Sequence, residues 1–317
     1  MPAELLGLLS GVLMGLSNYT SRVGLKGSHP NEGAFWTLIS GTTFVLLVSG
    51  LLFMAGFSLP FDYRGIPWLV VAGLMADVAA RFAFFHAILK IGVARTSQFR
   101  AIDPVITTFI AFFWLGEVLN LPTMIGILLV TVGVSNLVLE KGTSGARMEG
   151  AGGQKPSTPP GPSGASPESD AARQKLIGMA LALLAGLFYV VSNLTAKQGV
   201  AYISPYLGVA IRNTSGLIIL MAYFLVTKQL SSLKITSSGS LRFYIYSGVL
   251  LTASIMAFFL GMASAPVSTV NALKNTSPLW TTFLGFLFLR AEERLTIRVA
   301  GSALIITAGV FLVISFS

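Results

Sequence analysis

The chain has 317 residues, of which 54% are hydrophobic and 10% are charged, and its formal net charge is +9 at pH 7. Soluble domains carry about 25% charged residues, so this composition excludes a soluble fold and makes lipid the solvent of most side chains. The positive charge is unevenly spread along the chain, which argues against a nucleic-acid partner, and the absence of cysteine excludes disulfides and thiolate metal sites.

Ten apolar segments follow one another along the chain, each near the length of about 20 residues that crosses a bilayer as a helix. The first, which begins near Leu5, lacks the basic leader and cleavage site of a signal peptide, so we expect it to be retained. It carries Gly7, Gly11 and Gly15 at every fourth position, a pattern typical of close helix packing. The sequence predicts an all-α membrane protein with ten transmembrane helices, near residues 4–23, 34–57, 66–89, 93–115, 121–139, 176–196, 205–227, 243–263, 267–289 and 298–316.

The segment at 142–174 differs in character from both of its neighbours. It is rich in Gly, Pro, Ser and charged residues. Such a composition cannot bury a core, so we predict a disordered linker there. The linker divides the chain into a first five-helix unit at 1–141 and a second five-helix unit at 175–317.

The two units repeat each other in sequence. The residues from Ser17 read SNYTSRVGL and those from Ser192 read SNLTAKQGV, an offset of 175 residues, and the same offset relates Gly73 to Gly248. Because each unit has five spans, the second unit enters the membrane from the opposite side, which makes the two units inverted repeats. Inverted repeats that meet around a central site are typical of secondary transporters.

The basic residues near the span ends mark one face of the membrane. Nearly all of them lie in or beside the connections that follow odd-numbered spans, whereas Arg64 lies in a connection that follows an even-numbered span. By the positive-inside rule, the odd connections, including the linker, face the cytoplasm, and both termini lie outside.

Three charged residues lie inside the fourth and ninth spans: Arg100 and Asp103 in the fourth, and Lys274 in the ninth. A charge at the centre of a span costs about 2.5–3.5 kcal/mol, so each should face a partner or a wet cavity. Both cations stand four residues before a proline, Pro104 or Pro278, which should break or kink the helix. We predict that Arg100 and Lys274 bind an anion in a shared cavity. A structural pair of Arg100 with Asp103 is the alternative.

The third span adds Asp77 and Arg81, which are spaced as an ion pair on one helix face. The alternative to a purely structural pair is that Arg81 faces the cavity and binds substrate. As carboxylates inside spans, Asp103 and Asp77 are the candidate groups for proton coupling.

Amide side chains supply the remaining candidate substrate contacts. Asn18 and Asn193 occupy matching positions in the first and sixth spans, and Asn275 directly follows Lys274. Buried amides of this kind either hydrogen-bond a substrate or tie helices together. Both interpretations are open for Asn18 and Asn193.

Each repeat ends in a proline, about a dozen residues, a loop glutamate and a final helix with two glycines, a pattern that resembles the EamA type of the drug/metabolite transporter superfamily. The residues that carry this resemblance are Pro104, Glu117, Gly126 and Gly133, with Pro278, Glu292, Gly301 and Gly309. The resemblance implies cytoplasmic termini, the reverse of what the basic residues predict.

Within that superfamily, the fourth-span segment FRAIDPVITTF looks like the corresponding segment of triose-phosphate translocators, which are related to nucleotide-sugar translocators. This resemblance implies that Arg100 and Lys274 hold the anionic group of the substrate. The sequence departs from the translocators at Asn275, where they have an arginine.

The sequence therefore predicts a secondary transporter, an exporter or exchanger of a small organic metabolite, anionic or phosphorylated, that works by alternating access. An exporter of amino acids or amphipathic drug-like metabolites and a lipid-headgroup flippase are the alternatives. The chain has no P-loop, dinucleotide fingerprint or H-E-x-x-H motif, so we expect no enzyme activity, no cofactor and no metal. The expected partners are a small-molecule substrate and lipid. The expected location is a bacterial inner membrane, and the expected state is a monomer or a homodimer.

Overall fold

The computed structural model describes residues 2–24, 30–91, 102–149, 167–228, 233, 237–288 and 297–316. Each of the ten predicted spans contains a described helix. We number the α-helices in chain order: α1 Ala3–Gly24, α2 Pro30–Met54, α3 Ile66–Gly73, α4 Arg81–Ile91, α5 Asp103–Leu115, α6 Leu121–Glu149, α7 Pro167–Val200, α8 Pro205–Val226, α9 Ser238–Ser264, α10 Val267–Lys274, α11 Ser277–Phe288 and α12 Ile297–Phe316.

The helices have the length and surface of membrane spans. Five described segments are long and apolar enough to cross a bilayer, and three shorter apolar helices accompany them. Large apolar side chains such as Phe53, Phe113 and Leu304 are exposed. An apolar outer surface of this extent is unfavourable in water and is expected where lipid surrounds the protein. The protein is a multi-pass integral membrane protein.

Packing between the helices repeats with the sequence. α1 packs along α9, and its repeat equivalent α7 packs along the third span. α2 packs on α8, and α6, the last helix of the first repeat, packs on α12, the last helix of the second. Such an exchange of partners is expected of repeats related by a pseudo-two-fold axis in the membrane plane. The fold is therefore that of an all-α membrane protein built from two inverted five-helix repeats.

In the described part of the chain, the third and ninth spans depart from a single regular α-helix. In the third span, α3 passes directly into a π-helix, Leu74–Ala80, which passes into α4. In the ninth span, α10 and α11 are separate helices. π-Helical turns are rare and are often found at functional sites. Both interruptions lie next to charged residues.

The glycine stripe of the first span packs against the broken ninth span. A Cβ atom on Gly11 would lie 2.6 Å from Thr276 Oγ1, and one on Gly15 would lie 2.5 Å from Trp280 Cβ. Larger residues would push the two spans apart. The predicted packing role of the stripe is confirmed at these two positions, which brings α1 close to the break between α10 and α11.

The connections that follow even-numbered spans lie on one face of the protein. An isolated antiparallel β-bridge joins Phe61, after the second span, to Ile203, after the sixth. Asn120, after the fourth span, donates a hydrogen bond to the backbone oxygen of Phe316 near the end of the tenth. Because each span carries the chain across the membrane, the connections after even-numbered spans should share one face, and these contacts agree with that.

Helical structure extends into both ends of the segment that we predicted to be disordered. α6 continues to Glu149 and α7 begins at Pro167, so 142–149 and 167–174 are helical. Ala, Arg, Met and Glu near the end of α6 are good helix formers, and proline is favoured in a first turn. Helices thus propagate beyond the apolar residues on which the prediction was based. Residues 150–166 lie outside the described ranges, and the unit boundaries remain predictions.

Candidate functional site

The ninth span is broken directly after its cation. Lys274 is the last residue of α10, and α11 begins at Ser277 with Pro278 in its first turn. Proline has no N–H to donate, so it is tolerated at the start of a helix but not in its interior. Side chains add hydrogen bonds at the break, where Thr276 Oγ1 donates to Leu273 O at 2.7 Å and Thr276 N donates to the same oxygen at 3.2 Å.

The side chain of Lys274 reaches the sixth and eighth spans. Its Nζ lies 3.4 Å from Asn193 Oδ1 on α7 and 4.0 Å from the centroid of the Phe258 ring on α9. An amide oxygen accepts hydrogen bonds, and the face of an aromatic ring attracts a cation. Lys274 is half-buried. The structure thus brings Lys274 and Asn193, two predicted substrate contacts, together.

Asn271 joins these residues to the fourth span. It is fully buried on α10, one turn before Lys274. Its Nδ2 lies 3.3 Å from Asp103 Oδ1 and 3.1 Å from Thr107 Oγ1, both on α5. Its Oδ1 accepts a hydrogen bond from Asn193 Nδ2 at 3.3 Å. The residues linked in this way form what we call the central cluster: Asp103, Thr107, Asn193, Asn271, Lys274 and Asn275.

Asp103 enters the central cluster as a hydrogen-bonded carboxylate. It is the first residue of α5, directly before Pro104, and only 5% of it is exposed. Its Oδ1 accepts a hydrogen bond from Thr107 Oγ1 at 2.9 Å in addition to the one from Asn271. A buried charge is costly unless it is hydrogen-bonded or paired. Arg100 lies outside the described residues, so its place beside Lys274 or Asp103 stays a prediction.

A second group of charges lies between the third and seventh spans. Arg81 Nη2 is 3.6 Å from Asp77 Oδ1, and Arg212 Nη2 on α8 is 3.4 Å from Asp77 Oδ2. Asp77 and Arg212 are both buried. The i,i+4 pair that the sequence predicts is therefore present, with Arg212 as a third member. We call Asp77, Arg81 and Arg212 the charged cluster.

The charged cluster also reaches the second and eighth spans. Arg81 Nη1 lies 3.5 Å from Ala34 O on α2. Arg212 Nη1 donates to Asn213 Oδ1 at 3.0 Å, and Asn213 Nδ2 donates to Thr252 Oγ1 on α9 at 3.2 Å. Spans from both repeats therefore surround these charges.

The two asparagines at matching repeat positions have different surroundings. Asn193 is buried in the central cluster, whereas Asn18 on α1 is exposed. The hydrogen bonds described for the central cluster do not include Asn18. A substrate role for Asn18 therefore stays a prediction, without the contacts that Asn193 has.

Two charged side chains form hydrogen bonds with the connection from α9 to α10. The carboxylate of Glu117, which follows α5, accepts hydrogen bonds from Val267 N at 2.6 Å and from Ser268 N and Oγ at 3.2 and 2.6 Å. Lys197 Nζ on α7 donates to Ala265 O at 2.8 Å. An acid at a helix N-terminus and a cation at a helix C-terminus are both favourable. Together they fix the start of α10, which carries Asn271 and Lys274 of the central cluster.

Sequence reasoning missed Asn271 and Thr107. Asn271 stands three residues before Lys274, and Thr107 stands four residues after Asp103, so helical spacing places each pair on one face. This signal was present in the sequence. Glu117, by contrast, was recognised only as a motif residue. Its hydrogen bond to α10 joins positions 150 residues apart, which local spacing cannot reveal.

The central cluster combines several kinds of polar and charged group. It offers an ammonium group, a carboxylate, amides and a hydroxyl at a place where the fourth, sixth and ninth spans meet. Within the described ranges, no group of three or more His, Cys, Asp or Glu side chains could hold a metal ion. The groups present suit recognition of polar and charged atoms by hydrogen bonding.

Comparisons with known proteins agree with this architecture. The sequence profile of the EamA-like transporter family matches residues 1–139 and 176–315. No curated protein matches the chain. A solved structure described as "Crystal structure of protein" is similar to it, with a TM-score of 0.72 and 15% sequence identity, over 98% of this chain and 96% of that chain. At that identity the likeness concerns the fold alone. Because the family profile matches both halves, this chain belongs to the EamA-like transporter family, in the drug/metabolite transporter superfamily, whose members are membrane transporters of small solutes.

Proposed function

We propose that the protein is a secondary transporter, an exporter or an exchanger, of a small organic anion that carries a carboxylate or phosphate group. The observation that carries this proposal is the position of Lys274. It ends a half-helix inside the ninth span and contacts Asn193 of the sixth span, which is linked through Asn271 to the fourth. Transporters built from inverted repeats bind substrates and coupling ions at such interrupted helices.

In this proposal, the ammonium group of Lys274 binds the anionic group of the substrate. Charge-assisted hydrogen bonds are about 2.7–2.9 Å long and roughly twice as strong as neutral ones. The contact of Lys274 Nζ with Asn193 Oδ1, at 3.4 Å, is longer than that. A substrate oxygen at the shorter distance would form a stronger hydrogen bond with Nζ than the Asn193 amide oxygen forms. Asn193 and Asn275 orient the rest of the substrate, and Arg100 supplies the second cation.

We propose alternating access as the mode of transport. The break between α10 and α11 divides the ninth span into two half-helices, and a short connection joins α10 to α9. Rocking of the two repeats around the central cluster would then expose Lys274 to one face and afterwards to the other. Inverted-repeat transporters move in this way around a fixed site.

A second candidate function is supported by Asp103. Asp103 and Lys274 lie in one cluster, in which Asn271 donates to Asp103 and accepts from Asn193. A carboxylate and an ammonium group held in this way offer opposite charges to the two ends of a zwitterion. An exporter of amino acids would use both groups for substrate recognition.

Thermal unfolding of the detergent-purified protein with candidate solutes tests the proposal. We expect a sugar phosphate or a dicarboxylate to raise the unfolding temperature. Lys274→Gln and Arg100→Gln should each weaken that binding at least about tenfold, or about 1.4 kcal/mol. Lys175→Gln is the matched control, because Lys175 is exposed near the start of the sixth span.

Other outcomes would reject the anion proposal. Stabilisation by amino acids instead of anions would favour the zwitterion exporter, and no response to any soluble solute would favour a lipid flippase. Normal anion binding by both Gln variants would remove the two cations from the site. Loss of folding in both would show that they are structural.

We also propose a bacterial inner membrane as the location, with the odd connections in the cytoplasm, and a monomer or homodimer as the assembly. The chain contains no cysteine, so single cysteines can report sidedness. An impermeant maleimide should label Pro2→Cys in intact cells, because Pro2 is exposed near the N-terminus, and should not label Ser163→Cys in the linker. The opposite labelling pattern would reverse the orientation.

A further inference from the structure

The positions that the repeat relates to the charged cluster contain no charged residue. The offset of 175 residues relates Asp77 in the third span to Thr252 on α9, and Arg212 on α8 to Thr37 on α2. α8 packs on the third span, just as its repeat equivalent α2 packs on α9. The molecule therefore contains a charged and a neutral version of one helix contact.

Both versions of the contact are equally close. A Cβ atom on Gly73 would lie 2.5 Å from Arg212 O, and one on the equivalent Gly248 would lie 2.3 Å from Thr37 O. Small residues allow two spans to approach in this way. In both places a glycine lets the two spans pack closely. The distance between the spans is similar whether the neighbouring residues are charged or are threonines.

The same local hydrogen bond is also present in both versions. Ser215 Oγ donates to Arg212 O at 2.8 Å, and the equivalent Ser40 Oγ donates to Thr37 O at 3.1 Å. Since the neutral contact packs equally well, helix packing does not require the charges. The position equivalent to Arg81 is also uncharged, since Met256 stands there. Charges inside a span are costly, so a role other than packing should account for all three.

The ions of the charged cluster compensate one another incompletely. Asp77 is 6% exposed, yet its Oδ2 has no hydrogen-bond partner in the described part of the chain. Its separations of 3.6 and 3.4 Å from Arg81 and Arg212 exceed the length of about 2.7–2.9 Å of a charge-assisted hydrogen bond. Two guanidinium groups and one carboxylate also leave a formal charge of +1. Among the described residues, Asp77 is the acid that forms ion pairs with both arginines.

We propose that Arg81 and Arg212 form a second binding site, for one carboxylate or phosphate group, and that Asp77 occupies this site in the ligand-free protein. A guanidinium group binds such oxyanions through two parallel N–H donors. An entering oxyanion takes these donors, and Asp77 moves away from them. Two observations support access and movement: the Arg81 side chain is 21% exposed, and Asp77 lies in the π-helix Leu74–Ala80. The site adds to the proposed transport function and does not depend on Lys274.

Replacement of the internal carboxylate tests this proposal. Asp77→Asn removes the occupant but keeps its size, so an external oxyanion should bind more tightly. We would measure thermal unfolding in detergent while inorganic phosphate or acetate replaces chloride at constant ionic strength. The expected result is a rise in unfolding temperature for Asp77→Asn, with half-saturation at least about tenfold below that of the unmodified protein, or about 1.4 kcal/mol. Asp62→Asn, in a connection outside the spans, should behave like the unmodified protein.

Further variants separate the two sites. The double variant Asp77→Asn with Arg212→Gln should lose the response to phosphate, whereas Asp77→Asn with Lys274→Gln should retain it. The proposal is wrong if Asp77→Asn responds no more strongly than the unmodified protein, or if removal of Arg212 leaves the response unchanged. A response that disappears with Lys274 would place the anion in the central cluster and support only the proposed function. A variant that does not fold even in phosphate would show that Asp77 is structural and would also overturn the proposal.

Discussion

The central cluster and the charged cluster each bury an aspartate between spans, but they compensate its charge in different ways. Asp103 accepts hydrogen bonds from Thr107 and Asn271, which are neutral donors. Asp77 lies between two guanidinium groups at 3.4 and 3.6 Å, which are fixed charges. A neutral donor can be satisfied by a neutral or a charged acceptor, whereas a buried cation needs an anion.

This difference suits the two buried carboxylates to different roles. Asp103 can lose its charge without leaving an uncompensated ion among its described hydrogen-bond partners, which suits a group that gains and releases a proton. Asp77 cannot do so unless another anion takes its place, which suits an occupant that competes with an anionic ligand. The same change, aspartate to asparagine, should therefore lower stability strongly in the charged cluster and only slightly in the central cluster.

The largest effect is expected from Asp77→Asn in chloride buffer. The variant leaves the half-buried Arg81 and the buried Arg212 without their carboxylate, and removal of one partner from a buried ion pair costs about 3–5 kcal/mol. The unfolding temperature in detergent should fall strongly, while that of Asp62→Asn should not change. An unfolding temperature within experimental error of the unmodified protein would show that solvent already compensates the two arginines.

An intermediate effect is expected from Glu117→Gln, which acts on the central cluster from outside. Glu117 accepts three hydrogen bonds at the start of α10, and hydrogen bonds to charged groups contribute about 1.5–3 kcal/mol. We expect a loss of about 2 kcal/mol in the free energy of unfolding, together with weaker substrate binding, because α10 carries Asn271 and Lys274. Ser268→Ala, which removes one of the three bonds, should give a smaller loss.

The result for Glu117→Gln also sharpens the comparison. The charged cluster lies on the third and seventh spans, and none of the hydrogen bonds of its described residues reaches α10. The phosphate response of Asp77→Asn should therefore survive the additional Glu117→Gln change. Loss of that response would mean that the two clusters are coupled.

A still smaller effect on stability is expected from Asp103→Asn. The amide oxygen of asparagine can accept the same hydrogen bonds from Thr107 and Asn271, so the free energy of unfolding should change by less than about 1 kcal/mol. Transport should change far more. In proteoliposomes, accumulation of the anion driven by a pH gradient should be abolished, while exchange without a gradient is retained. Unchanged accumulation would remove Asp103 from proton coupling.

Sequence reasoning succeeded where the signal lies within one helix or in the repeat. The offset of 175 residues and the apolar segments predict the inverted repeats and their spans. The spacing of Asp77 and Arg81 predicts an ion pair that the structure contains. It did not pair Arg212 with Asp77, because a single sequence does not state which faces of the third and seventh spans meet.

Two further features lay beyond the sequence for a different physical reason. Proline predicts an interruption of the ninth span, but the structure places Pro278 in the first turn of α11 and the gap before it. At the break, the side chains of Asn275 and Thr276 donate hydrogen bonds to Asn271 O and Leu273 O, which also accept from backbone N–H groups. The sequence does not show these contacts. The π-helix around Asp77 has no spacing signature that distinguishes it from an α-helix, so only the structure reveals it.

The smallest effect on stability is expected from replacement of the linker. This variant gives a baseline for the stability changes predicted in the two clusters. Residues 150–166 have no apolar periodicity, and the flanking helices α6 and α7 already extend to Glu149 and from Pro167. Replacing 150–166 by a Gly/Ser tract of equal length should change the free energy of unfolding by no more than about 0.5 kcal/mol, as expected of surface changes. Equal length matters because the loop-closure entropy then stays nearly constant. A large loss of thermal stability in detergent would show that the linker packs against the helices. The stability changes predicted for the two clusters would then have to be compared with that loss.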